Sequence, residues 1–140
     1  MNPAIKAQWV AALRSGYYQQ SKHTLRSAVG FCCLGVLCDL AVQQGIASWS
    51  EPADEDPIGD KNVIPGVQAC ITKATDLYEE EVEMGILPVA IQTWASLNRG
   101  NPCITFQPDD DKQGDQHFTY LNDILHLSFS KIADLIEAQL

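Results

Sequence analysis

FCCLGVLCDLAVQQG, residues 31–45, is apolar on nearly every side as far as Gln43 and Gln44 and closes on Gly45. A segment of that kind reads as a helix buried all round at the centre of a domain, with the glycine supplying a left-handed stop. Toward the N-terminus, Asn2 can cap a helix and Pro3 suits its first position. Ile5, Trp9, Ala12 and Leu13 then recur at helical spacing before Gly16, which predicts a first helix. Between the two helices, YYQQSKHTLRSAVG (17–30) is polar, aromatic and basic without a sustained apolar period, and reads as an ordered loop or short hairpin.

Toward the C-terminus the signals weaken between Ala47 and Ile86. Pro, Gly and Asp around residues 51–66 point to a long exposed loop, VQACIT (67–72) is β-prone, and DLYEEEVE (76–83) fits either a helix or a strand. Pro88 opens a short helix with Ile91, Trp94, Ala95 and Leu97 on its apolar face, ending near Gly100. CITF (103–106) reads as a strand, DDDKQGD (109–115) as a turn and HFTYL (117–121) as the second strand of a hairpin. SFSKIADLIEAQL (128–140) is an amphipathic helix capped by Ser128, with Phe129, Ile132, Ala133, Leu135 and Ile136 on one face. The expected fold is α+β: a mostly helical single domain over residues 1–140 with a small antiparallel β element.

A chain of 140 residues with 46% hydrophobic and 19% charged residues can fold around one core without staples. MNPAIKAQWV lacks the apolar run of a secretory signal, and no stretch approaches the roughly 18 apolar residues of a membrane span, so a cytoplasmic protein with no membrane partner is expected. The cysteines are odd in number and three fall in one helix, which favours reduced thiols.

Charge is divided along the chain. Lys6, Arg14, Lys22 and Arg26 are the only formal charges before Asp39, so residues 1–38 carry +4, whereas the remainder holds all 18 acids and the other five of nine bases, −13, for a net −9. A protein that holds an anion must gather donors and keep carboxylates away from them. Tyr17, Tyr18, Gln19, Gln20, Lys22, His23, Thr24 and Arg26 lie within ten residues, preceded by Arg14. Aromatic rings stack on a base, amides read its edge, and arginine, lysine and hydroxyl groups bind phosphate oxygens. The competing reading packs the tyrosines on the core and uses Arg14 to complement the end of the first helix. Asn122 and Asp123, in YLND, offer acceptors for ligand hydroxyl or amino groups, or else an Asx turn before the last helix.

Other chemistries have thinner support. Cys32 or Cys33 at a helix start, with His117 and Asn122 later, has the chain order of a cysteine hydrolase, but buried small hydrophobes explain the same residues. Cys33 and Cys38 have neither C-x-x-C spacing nor a histidine pair, so no metal is expected, nor any other cofactor. Asp109, Asp111, Gln113 and Gly114 start like a calcium loop, but Tyr120 stands where the bidentate glutamate belongs. The segments 51–60, 76–83 and 109–115 hold 14 of the 18 acids, a surface that could mimic a phosphate backbone and occupy a host nucleic-acid-binding protein.

The ordered set ALRSGYYQQ (12–20), TLR (24–26), FCCLGVLCDLA (31–41), LP (87–88) with a tryptophan soon after, LND (121–123) and SFSKIADLIEAQL (128–140) resembles a widespread family of small phage and prophage proteins. Residues 47–84 fall outside the resemblance as a variable acidic insertion. The family in turn is similar to phage anti-defence sponges that sequester cyclic-nucleotide immune signals or related ADP-ribose signals. That resemblance implies a homo-oligomer in the cytoplasm of an infected bacterial cell. It would bind a cyclic nucleotide or related anionic nucleotide signal without cleaving it, and would bind no DNA directly. Arg14, Tyr18, Gln20, Arg26, Asn122 and Asp123 match the pattern as ligand positions, while Lys22 and His23 would tune which ligand is held.

Overall fold

The computed structural model describes residues 1–53, 66–73, 80–106 and 114–140. In chain order these form α1 (Pro3–Arg14), β1 (Arg26–Ser27), β2 (Gly30–Phe31), α2 (Cys33–Gln43), β3 (Ser48–Trp49), β4 (Cys70–Lys73), β5 (Glu80–Glu83), α3 (Val89–Ala95), β6 (Cys103–Phe106), β7 (Gly114–His117), α4 (Phe118–Asp123) and α5 (Phe129–Gln139).

Helix α2 occupies the centre, with Cys33, Leu34, Val36, Leu37, Cys38 and Ala41 fully buried. Its first turn is closed by Cys32, whose sulfur accepts from the Gly35 amide at 3.4 Å. Helix α1 starts as its sequence requires, with Asn2 Oδ1 accepting from Ala4 N at 3.0 Å and Pro3 in the first turn. Trp9 carries α1 onto the core. Its ring meets Phe118 edge-on at 5.6 Å, and its indole N–H donates to the Cys33 carbonyl at 3.0 Å, so the buried polar group is satisfied. Helix α5 lies along α1, burying Phe129, Ile132, Ala133 and Ile136. Ser128 Oγ caps it, accepting from Lys131 N at 3.3 Å.

The expectation of a mostly helical chain with one small β element is corrected. Helices take about 41% of the described residues and strands about 21%, in three antiparallel sheets, β1-β2, β3-β4-β5 and β6-β7, so the fold is α+β without helical dominance. Two causes can be named. The ambiguous central region supplies a sheet, because Cys70–Lys73 pairs with Ser48–Trp49 on one edge and with Glu80–Glu83 on the other. Ser48–Trp49 is distant in sequence, and glutamate's weak β-preference hides β5. HFTYL, in contrast, is not a strand beyond His117. Register Cys103↔His117 ends the β6–β7 hairpin there, and Phe118, Leu121 and Asn122 are buried at helical spacing in α4. Helix α3 also stops at Ala95, before Gly100, because Ser96 turns left-handed (φ 51°) and its amide returns to Thr93 O.

Strand β5 is turned against the usual pattern. Glu81 and Glu83 are half-buried, while Val82 and Met84 are exposed, as is Ile86 just beyond. Glu81 has a use inside, where its carboxylate accepts from the Val89 amide at 2.7 Å and holds the start of α3. Most of the 51–66 loop and residues 109–113 of the expected turn, with the calcium-like Asp109 and Asp111, lie outside the described residues, whereas Gly114 and Asp115 belong to β7. Among the described residues, no helix is long and apolar enough to cross a membrane.

The tightest approach in the core is at Gly35, where a Cβ would sit 1.7 Å from the Leu25 carbonyl oxygen. In an unconstrained helix Gly→Ala gains roughly 1 kcal/mol. Here the backbone of Leu25 must move, so Gly35→Ala is expected to lose about 3 kcal/mol in urea unfolding. A neutral or stabilising result would show that the approach is not tight.

Candidate functional site

The segment between α1 and α2 is held at several points by backbone bonds. Ser21 N donates to Phe31 O at 2.7 Å, Phe31 N to Gln19 O at 2.9 Å, Cys32 N to Leu25 O at 3.2 Å and Leu25 N to Met84 O at 2.7 Å. Gly30 makes the fold-back possible, since its φ is 148° and a Cβ would stand 2.2 Å from Gln19 O. Arg26–Ser27 and Gly30–Phe31 then close a two-residue hairpin. The ordered-loop-or-hairpin expectation for 17–30 becomes this pinned ribbon.

The ribbon divides the expected site residues into two groups. The first is aromatic. Tyr17 is 82% exposed and meets Tyr18 edge-on at 5.2 Å; Tyr18 meets Phe31 at 5.2 Å, and Phe31 meets Trp49 at 6.1 Å. The Arg26 guanidinium lies over both Phe31 (5.1 Å) and Trp49 (5.3 Å), within the reach of cation–π attraction. Asp39 ties the group together by accepting from the Tyr18 hydroxyl (2.8 Å), Trp49 Nε1 (3.0 Å) and Gln43 Nε2 (2.9 Å). Burial first, and the bond to Asp39 second, push the Tyr18 phenol up to about 12.

The second group is polar. Gln20 Nε2 donates to Asn122 Oδ1 and to Leu127 O, both at 2.9 Å, and its Oε1 accepts from Phe129 N at 3.2 Å. Asn122, fully buried, donates to Ser21 O at 2.9 Å and to Asp123 Oδ1 at 2.6 Å. Gln20 and Asn122 therefore hold the ribbon to α4 and the start of α5, and their polar atoms are committed. Beside them Lys22 Nζ lies 3.4 Å from His126 Nε2, and His23 Nδ1 lies 3.9 Å from Asp123 Oδ2. Lys22, His23 and His126 are exposed, and both histidines have left-handed backbones, φ 70° and 55°.

Arg14 joins neither group. It pairs with Asp134 Oδ1 at 2.6 Å and Glu137 Oε2 at 2.8 Å, fastening α1 to α5, and these hydrogen bonds raise its pKa. Thr24 Oγ1 makes only a long contact, 3.4 Å, to Arg26 O. The stretch that is free of acids in sequence is thus not free of them in space, because Asp39, Asp123, Asp134 and Glu137 fold back onto Tyr18, His23 and Arg14. Lys22 and Arg26 form no ion pair among the described residues.

Phe31, Trp49, Asp39, Gln43 and His126 belong to the site but were not singled out from sequence as site residues. Alternation of aromatic and polar types around the α2 start gave no sign of which would meet. The cysteine-nucleophile arrangement does not assemble. Cys32 and Cys33 are buried, desolvation pushes the Cys32 thiol up to about 12 and Cys33 well above its ordinary value, and His117 Nδ1 is instead 2.9 Å from Asn101 O.

The Tyr18 shift has a sign that can be tested. A raised folded-state value means that the contribution is intact below the ordinary 10.0 and is lost as pH rises toward about 12. Stability measured by urea unfolding should therefore fall across that window, and Tyr18→Phe should flatten the fall; an unchanged slope would place the hydroxyl elsewhere.

A family model described as Domain of unknown function (DUF8296) matches residues 1–140. No curated protein and no solved structure matches the chain.

Proposed function

The chain belongs to the DUF8296 family, and we propose that this protein binds and sequesters an anionic nucleotide signal, of the cyclic dinucleotide or cyclic ADP-ribose type, without cleaving it. The reading rests chiefly on Arg26. Its guanidinium is held over Phe31 and Trp49 with no carboxylate partner among the described residues, and the contact chain runs on through Tyr18 to the exposed Tyr17 ring. A base stacks on Tyr17 and a phosphate is met by Arg26, the pairing of aromatic face and planar cation that nucleotides require. Lys22, His23 and His126 offer a second phosphate position. Arg14, Gln20 and Asn122 bond within the chain, so we narrow the proposed ligand contacts to Tyr17, Lys22, His23, Arg26 and His126.

Sequestration rather than turnover is in keeping with thiols that desolvation holds protonated at the head of α2. From the resemblance to phage proteins we infer that the activity belongs in the cytoplasm of an infected bacterium, as evasion of a nucleotide immune signal. Oligomer formation belongs to the same proposal. Val82, Met84 and Ile86 form the exposed apolar row a second copy would cover, and Lys73 opposite Glu80 at its edge can pair reciprocally across a two-fold axis.

Thermal shift against a panel of cyclic dinucleotides and cyclic ADP-ribose isomers tests the reading. A ligand at a hundred times its Kd should stabilise the fold by about 2.7 kcal/mol. Arg26→Ala and Tyr17→Ala should each weaken binding about tenfold or more. Arg14→Ala should lower the melting temperature and leave affinity unchanged, and the bound nucleotide should be recovered intact after heating. No shift with any member of the panel, or recovery of fragments, would contradict the proposal.

A further inference from the structure

A concavity lies away from the ribbon, and none of its lining residues belongs to 17–31. It is a cleft of about 410 Å³ where the turn after α3 meets β6 and the end of α5. Leu97 and Pro102 give it an apolar wall, and Asn98, Arg99, Cys103 and Gln139 give it polar groups. The volume falls in the usual range for a small-molecule site.

Two observations converge on Arg99 and Cys103. First, Arg99 has no carboxylate partner among the described residues, in a chain with twice as many acids as bases. Its one side-chain bond among the described residues is Nη1 to Cys103 Sγ at 3.2 Å, and the planar fork carries further donors. Second, Cys103 is the one cysteine that is not buried; Cys32, Cys33, Cys38 and Cys70 are 0–3% exposed. A guanidinium with open donors beside an accessible sulfur, inside a cleft, selects a ligand that brings a carboxylate to the first and an electrophilic sulfur to the second.

We propose that this cleft is a binding and exchange site for a small carboxylate-bearing disulfide, with Arg99 anchoring the carboxylate and Cys103 as the exchanging thiol. Cys103 gives its proton to solvent, and its thiolate attacks one sulfur of the bound disulfide. The new S–S bond forms as the old one breaks, and the departing thiolate carries away the electron pair. Cys103 is thereby oxidised to a mixed disulfide and half of the ligand is reduced to thiol. Arg99 raises the rate by holding the anion in place, so its effect depends on the charge of the ligand.

The charge dependence gives the test. The folded protein is mixed with 5,5′-dithiobis(2-nitrobenzoate), which carries carboxylates, or with neutral 2,2′-dithiodipyridine, and the released thiol is followed by absorbance. One thiol per chain should react rapidly with either reagent, and Cys103→Ser should remove that phase. Arg99→Gln should slow the anionic reagent about tenfold, the loss of one charge-assisted contact, and leave the neutral reagent's rate unchanged. Circular dichroism verifies that both variants fold. Equal slowing of the two reagents, no slowing of either, or a fast phase that survives Cys103→Ser would overturn the proposal.

Discussion

Leu25 rests its backbone carbonyl directly on α2 at Gly35, where no side chain fits, and much of the molecule depends on that approach. The same carbonyl accepts from Cys32 N as the chain enters α2, so one peptide group both sets the distance to the central helix and fixes its entry. Leu25 N in turn bonds Met84 O, which joins the ribbon to the segment after β5. With Leu25 fully buried between these contacts, Gln20 on one side of it and Arg26 on the other are delivered to different neighbours: α4 and α5 for the first, Phe31 and Trp49 for the second.

The electrostatic consequence is a division of labour among the bases of the N-terminal segment. Sequence separates them from every acid, yet folding returns four carboxylates to the same surface. Each returning acid meets a donor already in place: Asp134 and Glu137 meet Arg14, Asp39 meets Tyr18, Trp49 and Gln43, and Asp123 meets Asn122 and His23. Arg14 is spent on helix packing, whereas Lys22 and Arg26 meet no carboxylate among the described residues. An arginine laid over two aromatic rings is also partly relieved of its need for a counter-ion, because the ring faces supply negative potential.

What could be read from the sequence follows the range of the interactions. The helices α1, α2, α3 and α5 were legible because caps, periodicity and terminal glycines act within a few residues, as Asn2 and Ser128 do here. Sheet β3-β4-β5 was not, because Cys70–Lys73 finds one partner, Ser48–Trp49, far back in the chain, and the other, EEVE, fits a helix as well as a strand. HFTYL misled for a related reason: its aromatic and β-branched residues suit a strand, and only the burial of Phe118 against Trp9, with Leu121 and Asn122 buried on the same face, decides for a helix from Phe118 on. At the site, the residue types were legible and their allegiances were not. Nothing local distinguishes Arg14, which has two acids a helix away, from Arg26, which has none among the described residues. Phe31 and Trp49 could not be placed without knowing that β1 returns beside β2 and that β3 lies near.

The account rests on the ribbon from Tyr17 to Phe31 being a fixed platform rather than a loop that orders on contact, and amide hydrogen exchange of the free protein measures this directly. The amides of Ser21, Leu25, Phe31 and Cys32, whose bonds pin the ribbon, should be protected to the same degree as those of the buried turns of α2 and should open only with them. Exchange of these four at the rate of unstructured chain, while α2 remains protected, would contradict the account.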